Sequence, residues 1–240
     1  MKKLLVAFFI SAAAIFAAQY CIAADAPKPA GKTKSDLKVD KETLKKKVRT
    51  LSNGDTVTGS IPISKELCMN FPRLLDSYIG YLMPWVDIKE VDGAIGAKNI
   101  NAVYQPQDFV KAVNTAMGKY ACRLKNIPAT EVVIKQKIQA GIPLYWFCSE
   151  DNNIWGYVAA RAQERKNYKA DDWKKLLAQK GYKPNVSQQN IRGYSSFVVL
   201  GYNPKTGEIG ISSANNSESL SWITIQEMKK YNVMLVEAAW

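Results

Sequence analysis

The sequence predicts an α+β domain, with helices in its first half and an antiparallel sheet in its second. Three observations carry that expectation. Apolar residues recur at three- and four-residue steps from Cys68 to Ile79, Leu144-Tyr145-Trp146-Phe147-Cys148 is a continuous apolar run, and Phe197 to Ser212 has the pattern of a hairpin.

In chain order, Val48 to Leu51, an Asn53-Gly54 turn and Thr56 to Thr58 make a short hairpin that opens the folded part. After Pro62 the apolar set Cys68, Phe71, Leu74, Leu75, Tyr78 and Ile79 marks one face of a helix that stops at Gly80. Gln107 to Tyr120 is a second amphipathic helix, with Phe109, Val110, Val113 and Met117 on one side. Val132 to Gln139 is a third, ended by Gly141 and Pro143.

The run from Leu144 to Cys148 suits a strand covered on both faces. Ala159 to Lys180 reads as a polar helix around Trp173 and Leu176, an excursion rather than a core element. Phe197 to Tyr202, the turn Asn203-Pro204-Lys205-Thr206-Gly207, and Glu208 to Ser212 complete the hairpin. Trp222 to Ile225 is a strand that leads into a helix over Gln226 to Lys230, and Val233 to Val236 closes the sheet.

The amino terminus reads as an export signal over residues 1–24. Lys2 and Lys3 precede an apolar run from Leu4 to Ala18, and Cys21-Ile22-Ala23-Ala24 offers small residues for cleavage. The run is too short for a permanent membrane anchor. Secretion or a periplasmic location is expected; lipid attachment at Cys21 ranks behind it, because Gln19 and Tyr20 are bulky. Residues 25–47 read as a basic flexible tail or linker, with nine basic residues between Lys28 and Arg49, and residues 48–240 as one domain. Ala26 to Thr33 loosely matches a phosphate loop, but two prolines interrupt it and no strand precedes it.

The formal charge of +12 falls to +10 once Lys2 and Lys3 are removed, leaving 31 basic and 21 acidic residues. Such a surface can meet anionic material through the tail. No cofactor, metal, nucleic-acid partner or stable transmembrane segment is expected. Cys68, Cys122 and Cys148 remain after cleavage, and an odd number leaves one thiol unpaired. If one disulfide forms, Cys122 with Cys148 is the expected pair, because both sit near core strands.

The chain of 240 residues contains no histidine. The usual base for a serine or cysteine nucleophile, and the commonest metal ligand, are therefore absent.

From Ile61 to Trp240 the order of parts resembles the papain-like fold in its bacteriocin-processing, peptidase C39-like branch. The matching parts are Cys68 at a helix start, Arg73 with Tyr78 on that helix, the helix pair over residues 107–139, Gly141-Ile142-Pro143-Leu144-Tyr145-Trp146, and the hairpin ending in Gly201-Tyr202-Asn203. The resemblance implies a nucleophile-equivalent at Cys68 and a cleft between its helix and the 197–212 hairpin. It also implies a histidine where this chain has Ser196, and an orienting aspartate where it has Ser213. The family's oxyanion glutamine has no counterpart in Ile61-Pro62-Ile63-Ser64-Lys65-Glu66-Leu67.

A helix start can lower the pKa of Cys68, but amide hydrolysis also needs an acid to protonate the leaving amine. Lys65 reads as a solvated surface lysine rather than a substitute base. Three functional readings follow. The first is an exported pseudopeptidase whose old cleft holds a peptide or protein. The second is a cysteine peptidase or acyltransferase that uses Cys68 with an unrecognised base. The third is a binder of anionic polymer through residues 28–49.

Overall fold

The computed structural model describes residues 38–59, 61, 71–95, 105–149, 165, 168–179, 194–213 and 216–240. The helices are α1 (Lys41–Lys45), α2 (Phe71–Leu82), α3 (Ile88–Ile95), α4 (Pro106–Met117), α5 (Glu131–Gln139), α6 (Ala170–Ala178) and α7 (Ile225–Tyr231). The strands are β1 (Arg49–Thr50), β2 (Thr56–Val57), β3 (Arg123–Ile127), β4 (Leu144–Ser149), β5 (Tyr194–Asn203), β6 (Glu208–Ser213), β7 (Asn216–Thr224) and β8 (Asn232–Ala239).

Every pairing among these strands is antiparallel, which makes the architecture α+β. The path runs β1-β2-β5-β4-β8-β3, with β6 and then β7 added on the other side of β5. β4 pairs with the first part of β5 and β2 with Gly201 and Tyr202 near its end. β8 is an inner strand, between β4 and β3.

Side chains alternate across the sheet and feed two cores. On one face Tyr145, Phe147, Val198, Leu200, Met234 and Val236 meet the buried side of α2, α3 and α4. On the other, Trp146, Phe197, Val199 and Leu235 meet Ile134 and Ile138 of α5 and Met228 of α7. Helices on both sides explain why β4 is apolar at consecutive positions rather than alternate ones.

Tyr78 locks α2 to the sheet. Its hydroxyl donates to the Pro143 carbonyl at 3.1 Å and accepts from the Ala238 amide at 3.0 Å. Continuing the β4–β8 register from Tyr145↔Val236 places Pro143 opposite Ala238, so the phenol bridges the ladder where proline has no N–H to offer. Burial pushes the Tyr78 pKa up, assisted by the charge of Glu237 and opposed by the Ala238 hydrogen bond.

The expected boundary between residues 47 and 48 moves toward the amino terminus. Asp40 caps α1 by accepting from the Glu42 amide at 3.2 Å, and Leu44 is fully buried in the core of the α2 face. Charge dominates this stretch, yet one leucine is enough to seat it. Its backbone crosses Gly141, whose φ is +76° and where a Cβ would run into the Leu44 carbonyl. Residues 25–37 lie outside the described residues.

Of the expected excursion over Ala159 to Lys180, α6 is anchored by Trp173, which is 1% exposed, while residues 159–164, 166–167 and 180 lie outside the described residues. Cys122 and Cys148 do not form a disulfide, and both side chains are buried. β8 lies between β3 and β4, so the two cysteines are about 10 Å apart across the sheet. Cys148 lies opposite Asn232 while Cys122 precedes the Arg123↔Ala239 pair, which separates them along β8 by roughly seven residues or more, about 25 Å. A disulfide spans less than about 7 Å between Cα atoms.

β3 was not evident from the sequence because only Leu124 of its five residues is buried, with Ile127 half-buried at its end. Asn114 of α4 covers its outer edge. The amide nitrogen donates to the Leu124 carbonyl at 2.9 Å and the amide oxygen accepts from the Leu124 N–H at 2.6 Å. Among the described residues no helix is long and apolar enough to cross a membrane.

The Gly141→Ala change forces a side chain into a left-handed backbone and into Leu44, and should cost at least about 2 kcal/mol in urea unfolding. Gly207→Ala, at φ +70° with open space around it, should cost only about 1 kcal/mol.

Candidate functional site

The resemblance implies a cleft where α2 meets the β5–β6 hairpin. Cys68 lies outside the described residues, as do Lys65, Ser64 and the rest of residues 62–70. The helix that follows packs its buried face, including Leu74, Leu75, Tyr78 and Ile79, in the same core as Val198 and Leu200 of β5. Ser196 lies two residues before Val198, so alternation places it on that face as well.

Ser196 is 6% exposed and stands opposite Phe147 of β4. Its hydroxyl oxygen accepts a hydrogen bond from Tyr145 at 2.8 Å, from the diagonal position on the same face. Tyr145 in turn packs on Tyr78, with centroids 5.6 Å apart, and on Phe147 at 4.9 Å. Burial pushes the Tyr145 pKa up, the Ser196 hydrogen bond counters it, and the negative charge of Asp76 adds to the rise. The phenol is neutral at physiological pH and cannot take a proton from a thiol.

Ser213 ends β6, and its side chain lies outside the described residues. Register puts Ser212, which is 2% exposed, across from Val198 and hence on the face of Ser196. Sequence reasoning passed over Ser212: the register counted back from the Asn203–Gly207 turn sets Ser213 against Val198, and the bulge between Val199 and Gly201 shifts that partner to Ser212.

A second polar cluster was not anticipated. The Arg165 guanidinium donates to Asp55 through both terminal nitrogens, at 2.7 and 3.2 Å, and through Nε to Glu208 at 2.9 Å. The carboxylates are 3% and 0% exposed in their side chains. Asn53 and Asn203 each donate to Asp55 at 2.7 Å, and the Trp173 indole donates to Glu208 at 2.9 Å. Burial alone would lower the Arg165 pKa, but the hydrogen bonds and charges of Asp55 and Glu208 outweigh it and hold the pKa above its usual value.

The guanidinium also stacks over Trp222 at 4.4 Å. The indole can lie flat there because Gly201 and Gly210 face each other in β5 and β6, and a Cβ at Gly201 would come within 2.9 Å of it. This cluster presents satisfied hydrogen bonds rather than an activated base or nucleophile, so it is a structural clamp.

Among the described residues no group of three or more Cys, Asp or Glu side chains is placed to hold a metal ion. The sequence matches no protein-family model and no curated protein. The resemblance to papain-like peptidases therefore rests on the residues themselves.

Arg165→Ala leaves two buried carboxylates without their cation and should destabilise the fold by about 3–5 kcal/mol in chemical denaturation. Arg165→Met combined with Asp55→Asn and Glu208→Gln should lose less, because no uncompensated charge is left behind.

Tyr145→Phe orphans the Ser196 hydroxyl and should cost about 1–3 kcal/mol at neutral pH. A tyrosine whose pKa is raised by folding stabilises the fold fully below its unfolded pKa of about 10. That contribution is lost as pH rises toward the folded value. Stability should thus fall above about pH 10, and Tyr145→Phe should remove about 1.4 kcal/mol per pH unit from that slope.

Proposed function

We propose that the chain is an exported pseudopeptidase, a papain-like domain whose cleft between the Cys68 helix and the β5–β6 hairpin holds a peptide or protein without cutting it. The observation that carries this reading is Ser196. At the position where the resemblance calls for a base, there is a buried hydroxyl bonded to a neutral phenol. With no histidine in the chain, nothing at that position can deprotonate a thiol or protonate a leaving amine near neutral pH.

The packing of α2 against the Ser196 face of β5 supports the reading, because a helix beginning near Cys68 then leads directly onto that face. Retention of Tyr78 as the bridge between Pro143 and Ala238 supports it too. The framework that aligns helix and sheet is kept while the proton-transfer group is replaced. The basic residues at Lys41, Lys45, Lys46, Lys47 and Arg49 are exposed and supply a surface for anionic contacts beside the peptide ligand.

The full chain and its Cys68→Ala variant, assayed against a mixed library of quenched fluorescent peptides, should both give background rates. Turnover by the full chain that vanishes in Cys68→Ala would overturn the proposal. Ser196→His should not restore activity: an imidazole at this closed position overpacks the core and should cost about 1–3 kcal/mol of stability.

A further inference from the structure

A cleft of about 380 Å³ lies between α6 and α7, beside the β5–β6 turn. Lys174 enters from α6 and Lys230 from α7, with Thr206 of the turn, Gln226, Thr224 and Glu227 completing its polar lining. The volume is in the range of small-ligand sites.

Its walls are fixed from behind. Trp173, next to Lys174, is 1% exposed and tied to Glu208 at 2.9 Å, while Ile225 and Met228 seat α7 in the core at 6% and 0% exposure. Two exposed lysines thus line one space from separately anchored elements. Neither Lys174 nor Lys230 has a carboxylate within ion-pair distance among the described residues, whereas the adjacent Lys175 pairs with Asp172 at 3.9 Å.

The one acid in the lining is already engaged. Glu227 accepts from the Thr224 amide at 2.8 Å and from the Thr224 hydroxyl at 2.9 Å, closing a capping box. The lining therefore carries a net charge of +1, from two lysines and one glutamate. Thr206 adds a hydroxyl that is enclosed and has no hydrogen-bond partner among the described residues, and Gln226 adds an exposed amide. Unpaired ammonium groups with neutral donors between them are the elements of an oxyanion site.

We propose that this cleft binds a small phosphate-bearing anion, with Lys174 and Lys230 as its charged contacts and Gln226 as a neutral donor. The space exceeds a bare phosphate, so a phosphomonoester should fill it better.

The test is calorimetric titration of the full chain with inorganic phosphate and with glycerol 3-phosphate at low ionic strength. Saturable binding is expected, tighter for the monoester and weakened by added salt. Lys174→Ala/Lys230→Ala should weaken it by at least about tenfold. Lys174→Arg/Lys230→Arg should retain it, and unchanged urea midpoints should confirm that both variants fold. Lys175→Ala/Lys229→Ala removes the same charge from the same helices outside the cleft and should leave affinity within about twofold. Absence of saturable binding, or an equal loss in that second pair, would overturn the proposal.

Discussion

The Arg165 guanidinium lies between two carboxylates that have almost no contact with water, and the geometry of the second half of the chain hangs on that arrangement. Isolated charges at those depths would be prohibitive; together, with each carboxylate also taking a neutral donor, they become a fixed joint. The joint draws in the β1–β2 turn through Asp55, the end of β5 through Asn203, the start of β6 through Glu208, and α6 through Trp173. Direction matters as well as energy. A guanidinium is planar, so satisfying Asp55 with two nitrogens and Glu208 with a third sets the angle between the turns that carry them.

The same region shows how backbone economy and side-chain bulk are matched. Two facing glycines leave a shallow floor on β5 and β6, Trp222 covers it, and Arg165 covers Trp222. Further along the same sheet face the pattern changes to Val198, Leu200 and the Tyr145–Ser196 pair under α2. One face thus has a charged end that organises turns and a closed, neutral end where a peptidase would need an ionisable group.

Much of this was legible in the residues. The periodicity of Leu74, Leu75, Tyr78 and Ile79 identified the buried side of α2, and the apolar run of β4 identified a strand covered on both faces. The β5–β6 hairpin followed from its turn residues, and the β7-to-α7 transition from the change of pattern after Ile225, while the Thr224 cap was not read. What escaped notice depended on contacts distant in sequence. α1 looks like solvated lysines until Leu44 meets Gly141, 97 positions later, and α3 is short and interrupted by Gly93. α6 looks like a polar surface helix because its one large anchor, Trp173, is secured by a glutamate in another strand. Arg165 carries no local signal at all, since Asp55 is 110 residues away. That Ser196 lies on a strand could be read, because the apolar run leading to Gly201-Tyr202-Asn203 fixes β5 locally.

The Asn114 amide at β3 has a consequence for how these molecules behave together. An outer strand with a vacant N–H and C=O is a template on which another chain can add a strand, and repeated addition leads to polymer. A carboxamide presents the same donor and acceptor as a peptide unit, and here it occupies both groups of Leu124. The helix has in effect supplied a single counterfeit strand residue that ends the sheet. Growth at this border would first have to break two hydrogen bonds within the molecule, and Arg123 and Lys125, exposed on the same short strand, would bring like charges together as a second copy approached.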